Sequence, residues 1–559
     1  MLKKIPVWII LLILIIPSFF ALLRPGFFWM QDDLQAFRIQ QMDKCFQDFQ
    51  IPCRWVPDPG YQYGYPQFNF YPPSVYYLGE MLHLTGIQFI DAVKILFILG
   101  FILSALTFFI FLRSLFGEWP ALVGAFLYTY APYKAVDVYV RGALSEFWAF
   151  VFFPLIFWSI YMLIKTGKWK YFIWMGLSIG LLLITHSLMS MIFLPIAGIW
   201  AVLWIILEKK WQIILKIAGG FIVGFMLAGF FILPMAQEKQ YSHSESMLGG
   251  YFDYRQHFVD IQQMFISNHW GYGSSYLGPN DDLSLSAGQI QFVLSVFAII
   301  LSLIYFKKQK KIAIMVFVLF IVDLGVLFMT HQKSSFIWDK MSLLVWLQFP
   351  WRILADNVFI LSILSAATIY LLPSKKYLIF IIGGVVVLTF IFYGSFYKPL
   401  RWVDISDKEK FSGELWEKQL TISIFDYLPI YAKLPPISKA PTLPEIMDGN
   451  ANFITYKKGS NYQIGEVEIL EKSNIRLPLF DFPGMKVFDN GKEIVHNHSD
   501  CRKQEFCLGL ISFDLEPGNH TIKAVLTNTF VRTVGNYLTL IGAIILLIIY
   551  FKKVRHAKN

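Results

Sequence analysis

The chain has little charge and few cysteines for its length. Only 15% of its 559 residues are Asp, Glu, Lys or Arg, while 56% are hydrophobic. Soluble domains carry about 25% charged residues, so an ordinary soluble enzyme is excluded, and a chain this long also outgrows a single core. Four cysteines cannot staple a disulfide-rich scaffold. No Cys-x-x-Cys pair or Cys/His spacing marks a structural zinc site. There is no Rossmann glycine fingerprint, no P-loop and no Asp-x-Asp motif, so the usual devices for holding a nucleotide or a nucleotide sugar are missing. Internal repeats and low-complexity tracts are absent too. The net charge is +10, but the basic residues stand in short clusters between apolar runs. That pattern signals membrane topology and excludes nucleic acid as a partner.

What is present is a series of apolar runs, each near the ~20 residues that span a bilayer. The first, 5–23, follows the cationic start Lys3-Lys4 and reads as a retained signal anchor, since no small-x-small cleavage site precedes Asp32-Asp33. Further spans are expected at 89–112, 119–136, 143–164, 171–185, 188–207, 213–234, 287–306, 312–329, 353–372, 377–393 and 537–551, about twelve in all. Lys3-Lys4, Arg113, Lys165/Lys168/Lys170, Lys209-Lys210, Lys307 to Lys311, Lys375-Lys376 and Lys552 to Arg555 then fall on one side. By the positive-inside rule that side is the cytoplasm, and both termini are cytoplasmic.

Three long segments are left outside: the loops 24–88 and 235–286, and the stretch 395–536 between a membrane domain (1–394) and the final helix with its basic tail (537–559). Cys45 and Cys53 share the first, Cys501 and Cys507 the last. On an oxidising face each pair could close a disulfide, with free thiols as the alternative. In 395–536 the runs give way to alternation and turns, Asp489-Asn490-Gly491 and Glu516-Pro517-Gly518-Asn519. This predicts an extracytoplasmic β-rich domain of sandwich type.

Function is sought on the outer face. Asp32-Asp33 stands a few residues past the first helix, where proximity to hydrocarbon raises a carboxyl's pKa and suits it to act as a general base. The plainer alternative is a cap for a helix beginning at Leu34. Further on, the stretch Tyr63-Gly-Tyr65-Pro-Gln-Phe-Asn69-Phe-Tyr71-Pro-Pro73 is dense in aromatics and prolines. Tyr65, Asn69 and Tyr71 are candidates to bind a sugar or a lipid headgroup, against an interfacial aromatic belt. A lipid-phosphate leaving group needs a cation beside it: one charge pair at ~4 Å and a dielectric of ~20 is worth ~4 kcal/mol. Arg352, in Phe349-Pro-Trp-Arg352, is the first choice, then Arg141 and Arg54; the alternative for Arg352 is an arginine snorkelling to headgroups. Glu146 is a second carboxylate to orient substrate or share a metal, or else a helix cap. His186 is a candidate phosphate contact or a structural histidine, with His243, His257 and His269 weaker versions. Asp323, inside a span, must pair or face the bundle interior.

These stretches, with Val140-Arg-Gly-Ala-Leu-Ser-Glu146, Leu183-Ile-Thr-His186 and Trp270-Gly-Tyr-Gly-Ser-Ser, resemble the bacterial membrane-protein family described as 6-pyruvoyl-tetrahydropterin synthase-related, itself similar to the multi-spanning GT-C glycosyltransferases. Phe482-Pro-Gly484 and Glu516-Pro-Gly518 are a looser match. Nothing in the sequence supports the pterin name. Where such sequences often carry a His beside the acid, this one has Gln31 and Phe37. The GT-C resemblance implies an α-helical membrane fold and transfer of a sugar from a polyprenyl-phosphate donor to an envelope glycan, lipid or protein acceptor, with Asp33 or Asp32 as base. No cofactor is demanded; a divalent metal at the carboxylates is compatible with the motif. The rival classes are a lipid-linked sugar flippase or transporter and a non-catalytic envelope-assembly protein.

Overall fold

The computed structural model describes residues 6–278 and 281–555. Lys3-Lys4, the side chain of Arg555 and residues 556–559 lie outside the described residues. Among the described residues seven helices are long and apolar enough to cross a membrane: Phe89–Phe116, Leu144–Thr166, Ser187–Glu208, Lys310–Thr330, Pro350–Leu371, Leu378–Phe396 and Phe530–Lys553. An eighth crossing exists if Trp211–Leu227 and Gly229–Tyr241, bent by 70°, count as one broken span. Val7–Leu23, Trp169–Thr185 and Gln289–Ile304 are apolar but short. The chain is a multi-pass membrane protein, and among the described residues it has fewer full-length crossings than the twelve expected.

The largest departure is at 119–136. The helix Glu118–Thr129 stops short, and Ala131, the residue before Pro132, is extended (ψ 134°). Pro132 has no N–H to continue the ladder and disfavours helix before it, so the chain restarts after a break. One turn, Pro132–Ala135, runs into the π-turn Val136–Arg141, which ends at Gly142 in the left-handed region (φ 64°). The break at Ala228 has another origin: Gly229 and Gly535 let two backbones meet, a Cβ on Gly535 lying 2.6 Å from the Gly229 carbonyl oxygen.

Pro350–Leu371 is the centre of the bundle, with 94% of its apolar window buried, against 17% for Phe530–Lys553 at the periphery. Lys310–Thr330, Gln289–Ile304 and Glu118–Thr129 pack on the central helix, and Phe89–Phe116 lies along Leu144–Thr166. Its core is aromatic, as where Phe153 stacks on Phe193 and Phe359 meets both edge-on.

Outside the bundle, β1 (Phe27–Phe28) pairs antiparallel with β2 (Trp402–Val403), tying the segment 24–88 to the segment 395–536. The expected β-rich region is one antiparallel sheet and not a two-sheet sandwich. Strands β3 (Glu445–Lys458), β4 (Tyr462–Phe480), β8 (Gly518–Leu526), β5 (Met485–Asp489) and β6 (Lys492–Ile494) follow in that order, and β7 (Leu510–Leu515) pairs with β4. At 19 residues β4 is long enough to pair β8 over 462–469 and β7 over 473–480, and Ile475, Val487, Ile511 and Ile522 lie in the buried core of this region. Asn490 (φ 47°) and Gly491 (φ 82°) form the β5–β6 turn in the left-handed conformation that short hairpins favour. Both cysteine pairs, Cys45–Cys53 and Cys501–Cys507, are disulfides.

Candidate active site

The acidic pair is positioned by the break in the helix after Thr129. The backbone N–H groups of Gln31 and Asp32 donate to the carbonyls of Val140 (3.0 Å) and Arg141 (2.9 Å). Met30 packs so tightly on Gly142 that a Cβ there would lie 2.2 Å from its sulfur. Only glycine satisfies both that contact and the left-handed turn. The same turn carries Arg141 and leads into Leu144–Thr166, with Glu146 in its first turn.

Glu146 gathers the basic groups. It is 1% exposed and accepts from Arg141 Nη2 at 2.8 Å and from the Tyr133 hydroxyl at 2.5 Å. Arg352 Nε is 3.4 Å and His186 Nε2 3.9 Å from the same carboxylate. Arg141 also donates to Asp137, four residues earlier, and Trp351 lies over its guanidinium at 4.7 Å. Arg352 is aimed by donating to the Leu347 carbonyl (2.7 Å) and Gln348 Oε1 (3.0 Å). His186 Nδ1 accepts from Met189 N–H and caps Ser187–Glu208, which leaves Nε2–H to face Glu146. Two carboxylates and two guanidiniums balance, as burial requires. Arg141, Arg352 and His186 keep 11–15% of their side-chain surface open, so the cluster is reachable.

Asp32 and Asp33 are half-buried. Asp32 Oδ2 accepts from Gln35 Nε2 (2.8 Å) and Arg38 Nη1 (2.9 Å). Asp33 Oδ2 accepts from Lys410 Nζ (2.6 Å). Burial raises the Asp33 carboxyl above the usual range, and the ammonium of Lys410 opposes the rise. Arg38 lies over the Tyr71 ring at 4.2 Å. Opposite it is Asp426, which burial pushes up to about 6. Tyr65 and Tyr71 line a narrow crevice with Arg38 and Asp426.

Other sequence candidates fall elsewhere. Arg54 donates to the Phe230 carbonyl, Asn536 and Asn69, and Asn69 donates to Glu238, which also holds Arg532. This buried network fastens the segment 24–88 to the bent pair and the last helix, apart from the acidic pair. His257 shares the Ser275 hydroxyl with Trp351, behind Arg352. His243 is spent on Glu245 and the Ala432 carbonyl, and His269 is exposed. Asp323 accepts from Asn357 Nδ2 at 2.8 Å within the bundle. Sequence reasoning missed Asp137, although its i,i+4 spacing to Arg141 on a helical turn was a usable signal. It also missed Lys410 and Asp426, which no local pattern marks.

Among the described residues no three His, Cys, Asp or Glu side chains converge as metal ligands. Each carboxylate already faces a fixed cation: Asp32 Arg38, Asp33 Lys410, and Glu146 Arg141 with Arg352. That donor set does not fit a divalent ion.

No family model matches the chain, so the likeness to the 6-pyruvoyl-tetrahydropterin synthase-related family rests on its motifs. No curated protein matches it either. Three solved structures from Archaeoglobus fulgidus are similar. An oligosaccharyltransferase in complex with Zn and sulfate has 14% identity and a TM-score of 0.38, over 71% of this chain and 53% of that one. The oligosaccharyltransferase AglB with an inhibitory peptide and a dolichol-phosphate has 12% identity and a TM-score of 0.41, over 78% and 60%. An oligosaccharyltransferase tethered to an acceptor peptide containing the NVT sequon has 14% identity and a TM-score of 0.42, over 78% and 59%. The chain thus spans between 53% and 60% of the length of the structures it matches. Similarity of this degree leaves function to the chemistry of the site.

Proposed function

We propose that the protein is a glycosyltransferase that moves a sugar from a polyprenyl-phosphate donor to an envelope acceptor at the outer membrane face, with both termini cytoplasmic. The observation that carries this reading is the backbone pairing of Gln31 and Asp32 with Val140 and Arg141, which sets two half-buried carboxylates beside a guanidinium cluster next to an apolar bundle.

The acceptor hydroxyl gives its proton to a carboxylate of the pair Asp32-Asp33 as its oxygen attacks the anomeric carbon. The bond from that carbon to the phosphate oxygen breaks, and the phosphate leaves with the electron pair. Arg352 and Arg141 turn N–H donors toward the charge it gains, while Glu146 and His186 position them. A positioned base contributes ~10² to 10⁴-fold and oriented charges a few kcal/mol. A single displacement inverts the anomeric centre. Tyr65, Tyr71 and Arg38 form the polar and aromatic wall next to the base.

One observation favours transport instead: Asp323 and Asn357 make a buried polar pair within two spans, where transporters place their sites. Both readings are tested by supplying radiolabelled polyprenyl-phosphate sugars to proteoliposomes with an envelope extract as acceptor, for wild type, Asp32→Asn and Asp33→Asn. Label should reach acceptor with wild type and be lost in the variant lacking the base. Labelled lipid crossing the bilayer with no donor consumed would replace transfer with transport.

A further inference from the structure

The crevice beside the acidic pair holds a carboxylate, Asp426, to which the proposed reaction gives no role. The crevice measures about 20 Å³, enough for one water-sized group, which needs ~10–15 Å³. Asp32 and Asp33 are not among its lining residues. A group held in it is therefore a neighbour of the hydroxyl that reacts, and not that hydroxyl itself.

Asp426 is delivered by the turn that follows the helix Gly413–Thr421. The Leu420 carbonyl accepts from Tyr61 N–H (3.1 Å), and Ser423 takes the left-handed conformation (φ 58°). Tyr65 clamps the turn at both ends: its hydroxyl donates to the Ser423 carbonyl (3.1 Å) and accepts from Tyr427 N–H (2.5 Å). Asp426, whose N–H donates to the Ser423 carbonyl (3.1 Å), lies between these anchors and lines the crevice.

Arg38 also lines it. This arginine is 5% exposed and is fixed by Asp32 on Nη1 (2.9 Å) and by the Tyr71 ring at 4.2 Å. Among the described residues its Nη2 has no hydrogen-bond partner. Arg38 is the cation that pulls hardest on Asp426, yet its ion pair is with Asp32 alone. Among the described residues only the Ser423 hydroxyl bonds the Asp426 carboxylate, so acceptor capacity is left over. The crevice thus presents a donor and an acceptor that do not satisfy each other, an arrangement that costs stability and that marks binding sites.

Size and polarity together choose the occupant. A hydroxyl accepts from a guanidinium and donates to a carboxylate through one atom, whereas an amide needs separate nitrogen and oxygen atoms to do both. A space for one water-sized group therefore takes the hydroxyl. An anion would meet Asp426 and an ammonium would meet Arg38, each with the wrong sign. An acceptor with a second hydroxyl beside the reacting one is a polyol such as a sugar ring; serine and threonine side chains carry only one.

We infer that Asp426 and Arg38 bind a second hydroxyl of the acceptor, next to the one that is glycosylated, and so select a sugar ring over an acceptor with a single hydroxyl. The identification of the bound molecule as the acceptor rests on the transfer reading.

The test uses the full chain in lipid nanodiscs, with methyl glycosides of glucose, mannose and N-acetylglucosamine, their monodeoxy analogues and a serine-containing decapeptide as probes. Binding without donor is measured by saturation-transfer NMR titration, and transfer by label from polyprenyl-phosphate sugars. At least one glycoside should bind. Asp426→Ala should weaken that binding and raise the glycoside KM at least ~10-fold, the worth of one hydrogen bond to a charged group, with kcat held. One monodeoxy analogue should lose the same factor with wild type and nothing further with Asp426→Ala, a match that a merely structural Asp426 would not produce. Glycoside binding that depends on Asp426, with no label transferred, would sink the transfer reading and leave the hydroxyl subsite standing. The inference is overturned if no glycoside binds at millimolar concentration. It is equally overturned if every analogue is weakened alike in wild type and Asp426→Ala, which would mean a crevice that holds water alone, or if the decapeptide is glycosylated in preference to the glycosides.

Discussion

Replacing Glu146 with Gln tests the electrostatic core of the site. The side chain keeps its shape, with its carbonyl oxygen able to accept from Arg141 and its amide able to donate to the Tyr133 hydroxyl, but its charge is gone. Arg352 Nε lies 3.4 Å and Arg141 Nη2 2.8 Å from the carboxylate. At an effective dielectric of ~20 those separations are worth ~5 and ~6 kcal/mol of gross attraction. Most of that offsets the cost of burying the ions, and removing one partner of a buried pair nets ~3–5 kcal/mol. Because Gln retains two hydrogen bonds, the lower end is expected, a large share of the ~5–15 kcal/mol that holds a domain folded. Intrinsic fluorescence from the chain's 17 tryptophans during thermal unfolding in detergent reads the change. Glu146→Gln should melt well below wild type, and adding Arg352→Gln should restore part of the loss, with a coupling of ~0.5–3 kcal/mol. A single variant that melts with wild type, or a double variant whose losses simply add, would refute the balanced-cluster argument.

Lys410→Met removes the cation on Asp33 and leaves only the weaker pull of Lys418 against burial, so the carboxyl rises further; the acid limb of the transfer pH profile should move to higher pH, and an unmoved limb at full activity excludes Asp33 as the base. Glu80 is fully buried with both oxygens unpartnered, and burial, aided by Asp43, lifts it to about 8. From its usual value of 4.5 up to 8 the folded chain keeps a proton that the unfolded chain gives up, so this group's contribution to stability falls as pH rises through that window. Glu80→Gln should flatten the melting temperature across it, and an unchanged slope counts against the burial. Arg532→Met leaves Glu238 buried without its cation and should cost ~3–5 kcal/mol. Limited proteolysis should then cut before the helix Phe530–Ile549 at lower temperature than in wild type, and equal resistance would show the network to be dispensable.

Read along the chain alone, composition and apolar runs determined the membrane class, the position in the chain of the long hydrophilic segments and the Asp489-Asn490-Gly491 turn, and they offered the two cysteine pairs as candidates with free thiols as the alternative. These depend on local quantities: hydrophobicity over ~20 residues, short loops and φ preferences. The number of straight crossings was less legible. The run 119–136 is apolar enough to read as a span, but the ladder break at Ala131-Pro132 decides its shape and puts Arg141 and Asp137 on one turn. Asp32, Asp33, Glu146, Arg141, Arg352 and His186 were each found as isolated candidates. Only the tertiary structure decided which belong together, gathering Arg141, Arg352 and His186 on Glu146, laying Asp32 against the Arg141 backbone, and sending Arg54 and Asn69 to a separate network. It also brought Lys410 to Asp33 from 377 residues away. The physical reason is that a buried charge must find its counter-charge wherever packing supplies one, and that choice depends on distances through space that no pattern along the chain encodes.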